Sequence, residues 1–238
     1  MWHWFPENVS TFGAKMDSMF MIILWITGIT FVLVEVALVY FAIKYRHRPG
    51  QRAFFVHGNK RLEIIWTTAT VLIVLFVAAI SVDPWMLVRN PKRFPPARLA
   101  VEVTAKQFEW NVKYPGADGR LGTSDDFTSR NTLHVPVNRA VHVTLKAEDV
   151  IHSFFLPHLR VKQDAVPGME IPIWFEATKA GDYVLGCAEL CGLGHYRMKG
   201  VVRVYEEAAY DAWYASGGKA KVAAATPAAT DAVAHNAH

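Results

Sequence analysis

Cysteine is nearly missing from this chain: 238 residues contain only two, Cys187 and Cys191, close together in one segment. Such a pair argues against a disulfide framework and reads instead as a site. No CXXCH sequence occurs, so no c-type haem is fused to these residues. The first fifteen residues contain Trp2, Trp4 and Pro6 and lack the basic segment, apolar core and small-residue cleavage site of a secretory signal; export is expected to rest on uncleaved anchors. Charge is sparse as well, at 19% of residues, and the formal net charge is only +4. The basic residues cluster beside apolar runs, which points to a membrane surface as partner and not to nucleic acid.

What the chain does have is apolar length: 52% of it is hydrophobic, more than is usual for a soluble protein. Between Asp17 and Lys44 the only charged residue is Glu35, and from Ile64 to Val82 there is none. A bilayer is crossed by about 20 apolar residues, so the two runs read as a transmembrane hairpin in preference to two buried helices. The intervening loop carries Lys44, Arg46, Arg48, Arg52, Lys60 and Arg61 without an acidic residue, which predicts a cytoplasmic loop and both chain ends outside. Arg89, Lys92, Arg93 and Arg98 after the second run reduce that asymmetry. Glu35 within a span is costly against lipid and is expected to meet a partner helix.

From about Pro95 the texture changes to short alternating segments: LAVEVTA, FEWNVKY, NTLHVPV, AVHVTLKA, IPIWFEA, DYVLGCA and GVVRVYE, separated by Gly, Pro, Asn and Asp. This is the pattern of a β-sandwich or Greek-key barrel, with Val141, Val143 and Leu145 on one face. One short helix is predicted over Glu206 to Tyr214, and the Ala-rich stretch from Ala215 onward reads as disordered. The expected organisation is therefore an exported segment 1–17, spans 18–44 and 62–85 around a cytoplasmic loop 45–61, a linker 86–95, a β domain 96–214 and a tail 215–238.

The chemistry concentrates in Cys187-Ala-Glu-Leu-Cys191-Gly-Leu-Gly-His195-Tyr-Arg-Met198, with His152 upstream in Asp-Val-Ile-His-Ser-Phe-Phe. Thiolate, imidazole and thioether are the donors soft copper prefers. A disulfide, a zinc site and a reactive Cys–His pair are the alternatives. Zinc is disfavoured because thioether binds it poorly and the usual second Cys or His pair is missing; no known nucleophile motif surrounds the thiols. Gly192 and Gly194 argue against a continuous helix, so the donors can wrap round one point. One Cys, two His and one Met would suit a single blue copper; the second Cys suggests a second metal bridged by both sulfurs.

These motifs, together with the helix hairpin, His152-Ser-Phe-Phe-Leu-Pro and Val161-Lys-Gln-Asp164-Ala-Val-Pro-Gly168, resemble subunit II of the haem-copper cytochrome c oxidases over almost the whole chain. The resemblance implies a two-helix transmembrane hairpin followed by an all-β cupredoxin-like Greek-key barrel that holds the dinuclear copper A centre. By that resemblance Cys187 and Cys191 bridge both coppers, His152 and Met198 complete one, and His195 with the backbone carbonyl of Glu189 completes the other. The Glu189 side chain would ligate magnesium or manganese at the boundary with subunit I, and Glu63 would stand at the entrance of a proton path. Phe108 and Trp110, in Gln107-Phe108-Glu109-Trp110, occupy the family's Gln-Trp-x-Trp electron-input surface, with Phe in place of the first Trp. Implied partners are subunit I, the other oxidase subunits, and cytochrome c or a haem c domain as donor. Oxygen would be reduced to water in subunit I, coupled to proton pumping. The implied location is a bacterial inner membrane, with the copper domain on the periplasmic or outer side. A copper-free quinol oxidase subunit of the same fold is disfavoured by the complete donor set, and a tethered copper carrier by Glu35, Glu63 and the bridging loop.

Two further features read as bland. The loop from Gly116 through Asp118 and Asp125 to Asp126 could hold calcium but lacks EF-hand spacing and reads as a solvated turn. His134, His142 and His158 read as strand or surface residues, and His235 and His238 as too isolated for a site.

Overall fold

The computed structural model describes residues 5–52 and 55–219. Two compact units result, residues 15–86 on one side of the division and residues 1–14 with 87–238 on the other.

The first unit is built from two long helices, α1 (Gly13–Lys44) and α2 (Lys60–Arg89). Both are long and apolar enough to cross a membrane, and the protein itself covers almost none of their side chains. Trp25, Leu33, Ile64 and Leu72 are all open, an arrangement that is stable only where lipid or other apolar helices replace water. Thr27, Thr30, Thr70 and Ser81 return their hydroxyls to backbone carbonyls of the preceding turn, so they carry no unsatisfied donor into that environment. Asn59 caps α2 by accepting from the backbone N–H groups of Arg61 and Leu62. The helix runs beyond the expected end at 85 to Arg89. It stops at Asn90 because Pro91 disfavours helical geometry in the residue before it.

The second unit is two five-stranded sheets. Sheet one has the order β3-β2-β1-β5-β8, from β1 (Leu99–Lys106), β2 (Glu109–Tyr114), β3 (Phe127–Arg130), β5 (Val141–Ala147) and β8 (Ile171–Phe175). Sheet two has the order β4-β10-β9-β6-β7, from β4 (Thr132–Pro136), β6 (His152–Leu156), β7 (Val161–Ala165), β9 (Gly181–Cys187) and β10 (Lys199–Tyr205). β1 runs parallel to β5 and β4 parallel to β10; the other pairs are antiparallel. This is the cupredoxin-like Greek-key barrel.

Alternation places Val141, Val143 and Leu145 of β5 and Trp110, Val112 and Tyr114 of β2 on the same inner face of sheet one, and all six are essentially buried. Leu133, Phe154, Leu156, Phe175 and Leu185 fill the space between the sheets, each burial favouring the fold by roughly 1.5–3 kcal/mol. The chain first passes from sheet one to sheet two, between β3 and β4, through one residue, Asn131, in the left-handed region at φ 56°. Its side chain accepts from the Trp110 N–H at 2.8 Å and its carbonyl accepts from the Val201 N–H at 2.9 Å, so the corner closes both sheets. Gly200 faces that corner: a Cβ there would lie 2.5 Å from the Asn131 carbonyl oxygen.

Residues before α1 belong to this unit. Val9 donates to the His158 carbonyl, Thr178 donates back to Val9, and Val9 and Phe12 are buried. At the other end α3 (Glu207–Ala215) packs Tyr210 and Trp213 inward. The expectation that the ordered domain ends at 214 is corrected. Ala215 closes α3, and Ser216 to Lys219 form a turn in which the Ser216 hydroxyl donates to the Trp213 carbonyl and accepts from the Lys219 N–H. That turn holds because Gly217 and Gly218 take up left-handed φ at a helix end. The rest of the expected tail, with His235 and His238, lies outside the described residues.

Candidate metal centre

Four segments meet at one end of the barrel: the β1–β2 turn at Gln107 and Phe108, the loop from Asp149 into β6, the end of β9, and the loop from Cys187 to Met198. β6 and β9 are paired, with Phe154 opposite Cys187, which sets His152 beside the first thiol. The Sγ atoms of Cys187 and Cys191 are 3.9 Å apart. His152 Nδ1 is 3.9 Å from Cys187 Sγ, and the ligand atoms of His152, Cys187 and Cys191 all lie within 4.8 Å of one another. His195 Nδ1 reaches Cys191 Sγ at 3.6 Å, and the Met198 thioether reaches it at 3.8 Å. The Glu189 carbonyl oxygen faces Cys187 Sγ at 3.3 Å.

This donor set fits a metal. Both cysteines are free, and their separation is far from the roughly 2.05 Å of a disulfide. It lies within the ~4.6 Å that two metal–thiolate bonds of about 2.3 Å can span. His152, Cys191 and Met198 are buried. Burial, then the neighbouring Cys187 thiol, pushes the Cys191 thiol up to about 11, so two thiolates here require positive charge between them. His195 faces the Cys191 thiol.

Residues behind the donors fix their aim. His152 turns Nδ1 to the thiol because Nε2 is hydrogen-bonded to Asp149 Oδ1 at 2.8 Å. The same carboxylate accepts from the N–H groups of Gln107 and Val150, each at 2.7 Å. Burial alone would raise the Asp149 carboxyl; the bonds from His152, Gln107 and Val150 more than offset it, leaving it below the ordinary carboxylate range. Gln107 also donates its side-chain amide to the Cys191 carbonyl at 2.6 Å. One turn therefore braces both halves of the site. Asp149 and Gln107 were not singled out by sequence; the signal available was Asp149 standing three residues before His152.

Phe108 and Trp110 separate. Phe108 is 37% exposed and its ring lies over Gly192 and Gly194, where a Cβ on Gly194 would come within 2.5 Å of it. Trp110 is not on a surface, because β2 alternation turns it inward. It is wholly buried, with its ring edge-on to Phe154 at 5.5 Å and 6.3 Å from the His152 ring. The Glu189 side chain is exposed, and Glu63 lies exposed in the first turn of α2, within the helical unit.

The bland features stay apart from the centre. Asp118, Asp125 and Asp126 accept from the loop's own N–H groups and the Thr123 hydroxyl, the arrangement of a self-contained turn. His134 stacks on Trp213 and lies parallel to Tyr205, His142 bonds the Pro95 carbonyl, and His158 packs on Tyr183.

The family described as cytochrome C oxidase subunit II, transmembrane domain, matches residues 3–83, and that described as cytochrome C oxidase subunit II, periplasmic domain, matches residues 114–205. Alternative cytochrome c oxidase subunit 2 of Bradyrhizobium diazoefficiens is 32% identical over 89% of this chain and 83% of its own length. Cytochrome c oxidase subunit 2 of Cereibacter sphaeroides is 32% identical over 86% and 79%. Among solved structures, the periplasmic domain of subunit II of cytochrome oxidase of Bradyrhizobium japonicum matches at 34% identity, covering 54% of this chain and 99% of that one, with a TM-score of 0.47.

Proposed function

Because the chain belongs to the cytochrome c oxidase subunit II family, we propose that it accepts electrons from a haem c donor at a dinuclear copper centre and passes them to haem in subunit I, where oxygen is reduced to water with proton pumping. It is a membrane protein and a subunit of a haem-copper oxidase. The observation that carries the further reading is the convergence of two imidazoles, a thioether and a carbonyl on one close pair of thiols.

In this reading Cys187 and Cys191 would be the ligands shared by two copper ions, His152 and Met198 would serve one of them, and His195 with the Glu189 carbonyl the other. A copper pair held there would supply one-electron chemistry, with a ferrous haem as the reductant that becomes ferric, shared over two nuclei so that each transfer would disturb geometry and solvent little. The chain's own work is to hold the donors still and dry. Asp149 fixes the tautomer and tilt of His152, Gln107 ties the Cys191 loop to the same turn, and the barrel keeps water from His152 and Met198. The exposed Glu189 carboxylate is suited to a magnesium or manganese ion at the boundary with subunit I, and Glu63 to the entrance of a proton path.

The topology follows from the same elements. Residues 5–14 share a unit with the β domain, which supports both being on one side of the membrane, as two crossings require. The basic loop between the helices assigns itself to the cytoplasm, leaving the copper domain on the periplasmic or outer face of a bacterial inner membrane.

Electron paramagnetic resonance of the copper-loaded protein tests this directly. Hyperfine structure from two equivalent copper nuclei is expected, at two coppers per chain. A one-nucleus spectrum at one copper per chain would refute the pair.

A further inference from the structure

We propose that the loop between α1 and α2, residues 44–61, docks on the inner leaflet of the membrane and selects anionic phospholipid headgroups there. This role is independent of the copper reading and rests on the two helices crossing the bilayer.

Charge in the loop has one sign. Between Glu35 and Glu63 the chain has no acid, and within that stretch stand Lys44, Arg46, Arg48, Arg52, Lys60 and Arg61. The described residues from 45 to 62 are all exposed, and among the described residues no acidic group pairs with any of these cations. The nearest acid is Glu63, whose carboxylate lies towards Gly58, so one negative charge stands against six positive ones. His47 and His57 add to the positive side only when protonated. Uncompensated cations that border an apolar span attract anionic headgroups.

Their position suits that partner. Arg61 is three residues before the uncharged run that begins at Ile64, about 4.5 Å along the helix, and Lys44 closes α1. Between the helices the Gln51 N–H donates to the Arg48 carbonyl at 3.1 Å, with Gly50 in the left-handed region at φ 83°. Arg48 and Arg52 therefore flank one tight turn.

Aromatic side chains decide between a bilayer and a soluble polyanion. Lys44 Nζ donates to the Tyr40 hydroxyl at 2.7 Å and lies 5.0 Å and 5.5 Å from the centroids of the Tyr40 and Tyr45 rings, a cation held on π faces. Tyr45 is 70% exposed and Phe55 75%. A soluble polyanion would use the cations and leave both rings in water. In a membrane the rings settle below the phosphates while the cations stay level with them.

The test uses the complete oxidase in lipid nanodiscs, which leave both faces open, with an environment-sensitive fluorophore on Gln51→Cys. The wild-type complex treated alike gives the background from Cys187 and Cys191. Acrylamide, a neutral quencher, reads how far the loop stands in water. Quenching is expected to be at least about fivefold weaker in discs containing phosphatidylglycerol than in discs of phosphatidylcholine alone. Salt that shortens the Debye length from about 30 to about 8 Å should strengthen quenching in the anionic discs. Arg48→Gln with Arg52→Gln, which leaves the other cations to hold orientation, should bring quenching in those discs more than halfway to the neutral-disc value. Equal quenching in the two lipids overturns the proposal, and if it is weak in both the loop is a subunit contact. Weak quenching that survives salt, or that persists in R48Q/R52Q, overturns it as well. Loss of the haem-bearing subunits from R48Q/R52Q does the same.

Discussion

Removing the carboxylate of Asp149 should weaken copper binding by one to two orders of magnitude, and the cause is one atom of His152. In Asp149→Ala three accepted hydrogen bonds disappear. The Gln107 and Val150 N–H groups belong to a rim that water can reach. His152 has no such recourse, since it is wholly buried. Its Nε2–H would stay desolvated without a partner, at about 1–3 kcal/mol, and the ring would lose the constraint that aims Nδ1 at Cys187. Converted to affinity, that is about 5- to 150-fold, in line with the 10- to 100-fold typical of partners behind a metal ligand. Asp149→Asn keeps an acceptor oxygen for His152 and should lose less than about tenfold. Competitive copper titration against a chelator of known affinity measures both variants. If D149A binds copper as tightly as the wild type, or D149N as weakly as D149A, the brace is not what orients His152.

Cys187→Ser and Cys191→Ser should each abolish the two-nucleus spectrum and oxygen consumption, because a hydroxyl cannot replace a bridging thiolate; intact metal stoichiometry in either would sink the bridge. Gly200→Ala drives a Cβ against a backbone oxygen, and should cost about 1–3 kcal/mol by analogy with overpacked cores, read by denaturant unfolding of the protein. His134 is held down to about 4 by burial first and by Arg203 second. Its folded pKa lies below the unfolded value near 6.5, so the folded state holds fewer protons between these limits and stability falls as pH drops from about 6.5 to about 4. The loss is roughly 2–3 kcal/mol; His134→Phe should flatten the melting temperature over that window, and an unaltered slope would clear His134 of the role.

The parts legible in the sequence were those with a period or a dense motif. Alternation marked β1, β2, β4, β5, β8, β9 and β10, and two long apolar runs, one interrupted only by Glu35, marked α1 and α2. Three strands escaped for physical reasons. β6 is buried at four of its five positions and therefore has no polar alternation to detect. β3 is a short polar edge strand, half-open throughout. β7 reads Val-Lys-Gln-Asp-Ala, buried only at its ends. At the centre, the donors stood out because sulfur and imidazole are rare and closely spaced. Asp149 and Gln107 did not, because a carboxylate and an amide are common residues and only the folded turn brings them to His152 and Cys191. Trp110 was misread for a related reason: strand parity, not membership of a motif, decides whether a side chain faces solvent.

That parity has a mechanical consequence. Glu109 on the outer face of β2 pairs with Arg130 of β3, while Trp110 on the inner face packs on Phe154 and lies beside His152. Asn131, the corner between β3 and β4, exchanges backbone and side-chain bonds with Trp110 and anchors Val201 of β10. β10 pairs with β9, the strand that ends in Cys187. The turn at Gln107, the corner at Asn131 and the end of β9 thus form a closed loop of hydrogen bonds and buried rings around the donors. A displacement of either thiol has to break backbone pairing in sheet two or the Gln107–Cys191 bond. Rigidity of the centre is therefore a property of the two sheets together, and a loop of the same sequence excised from them would lack it.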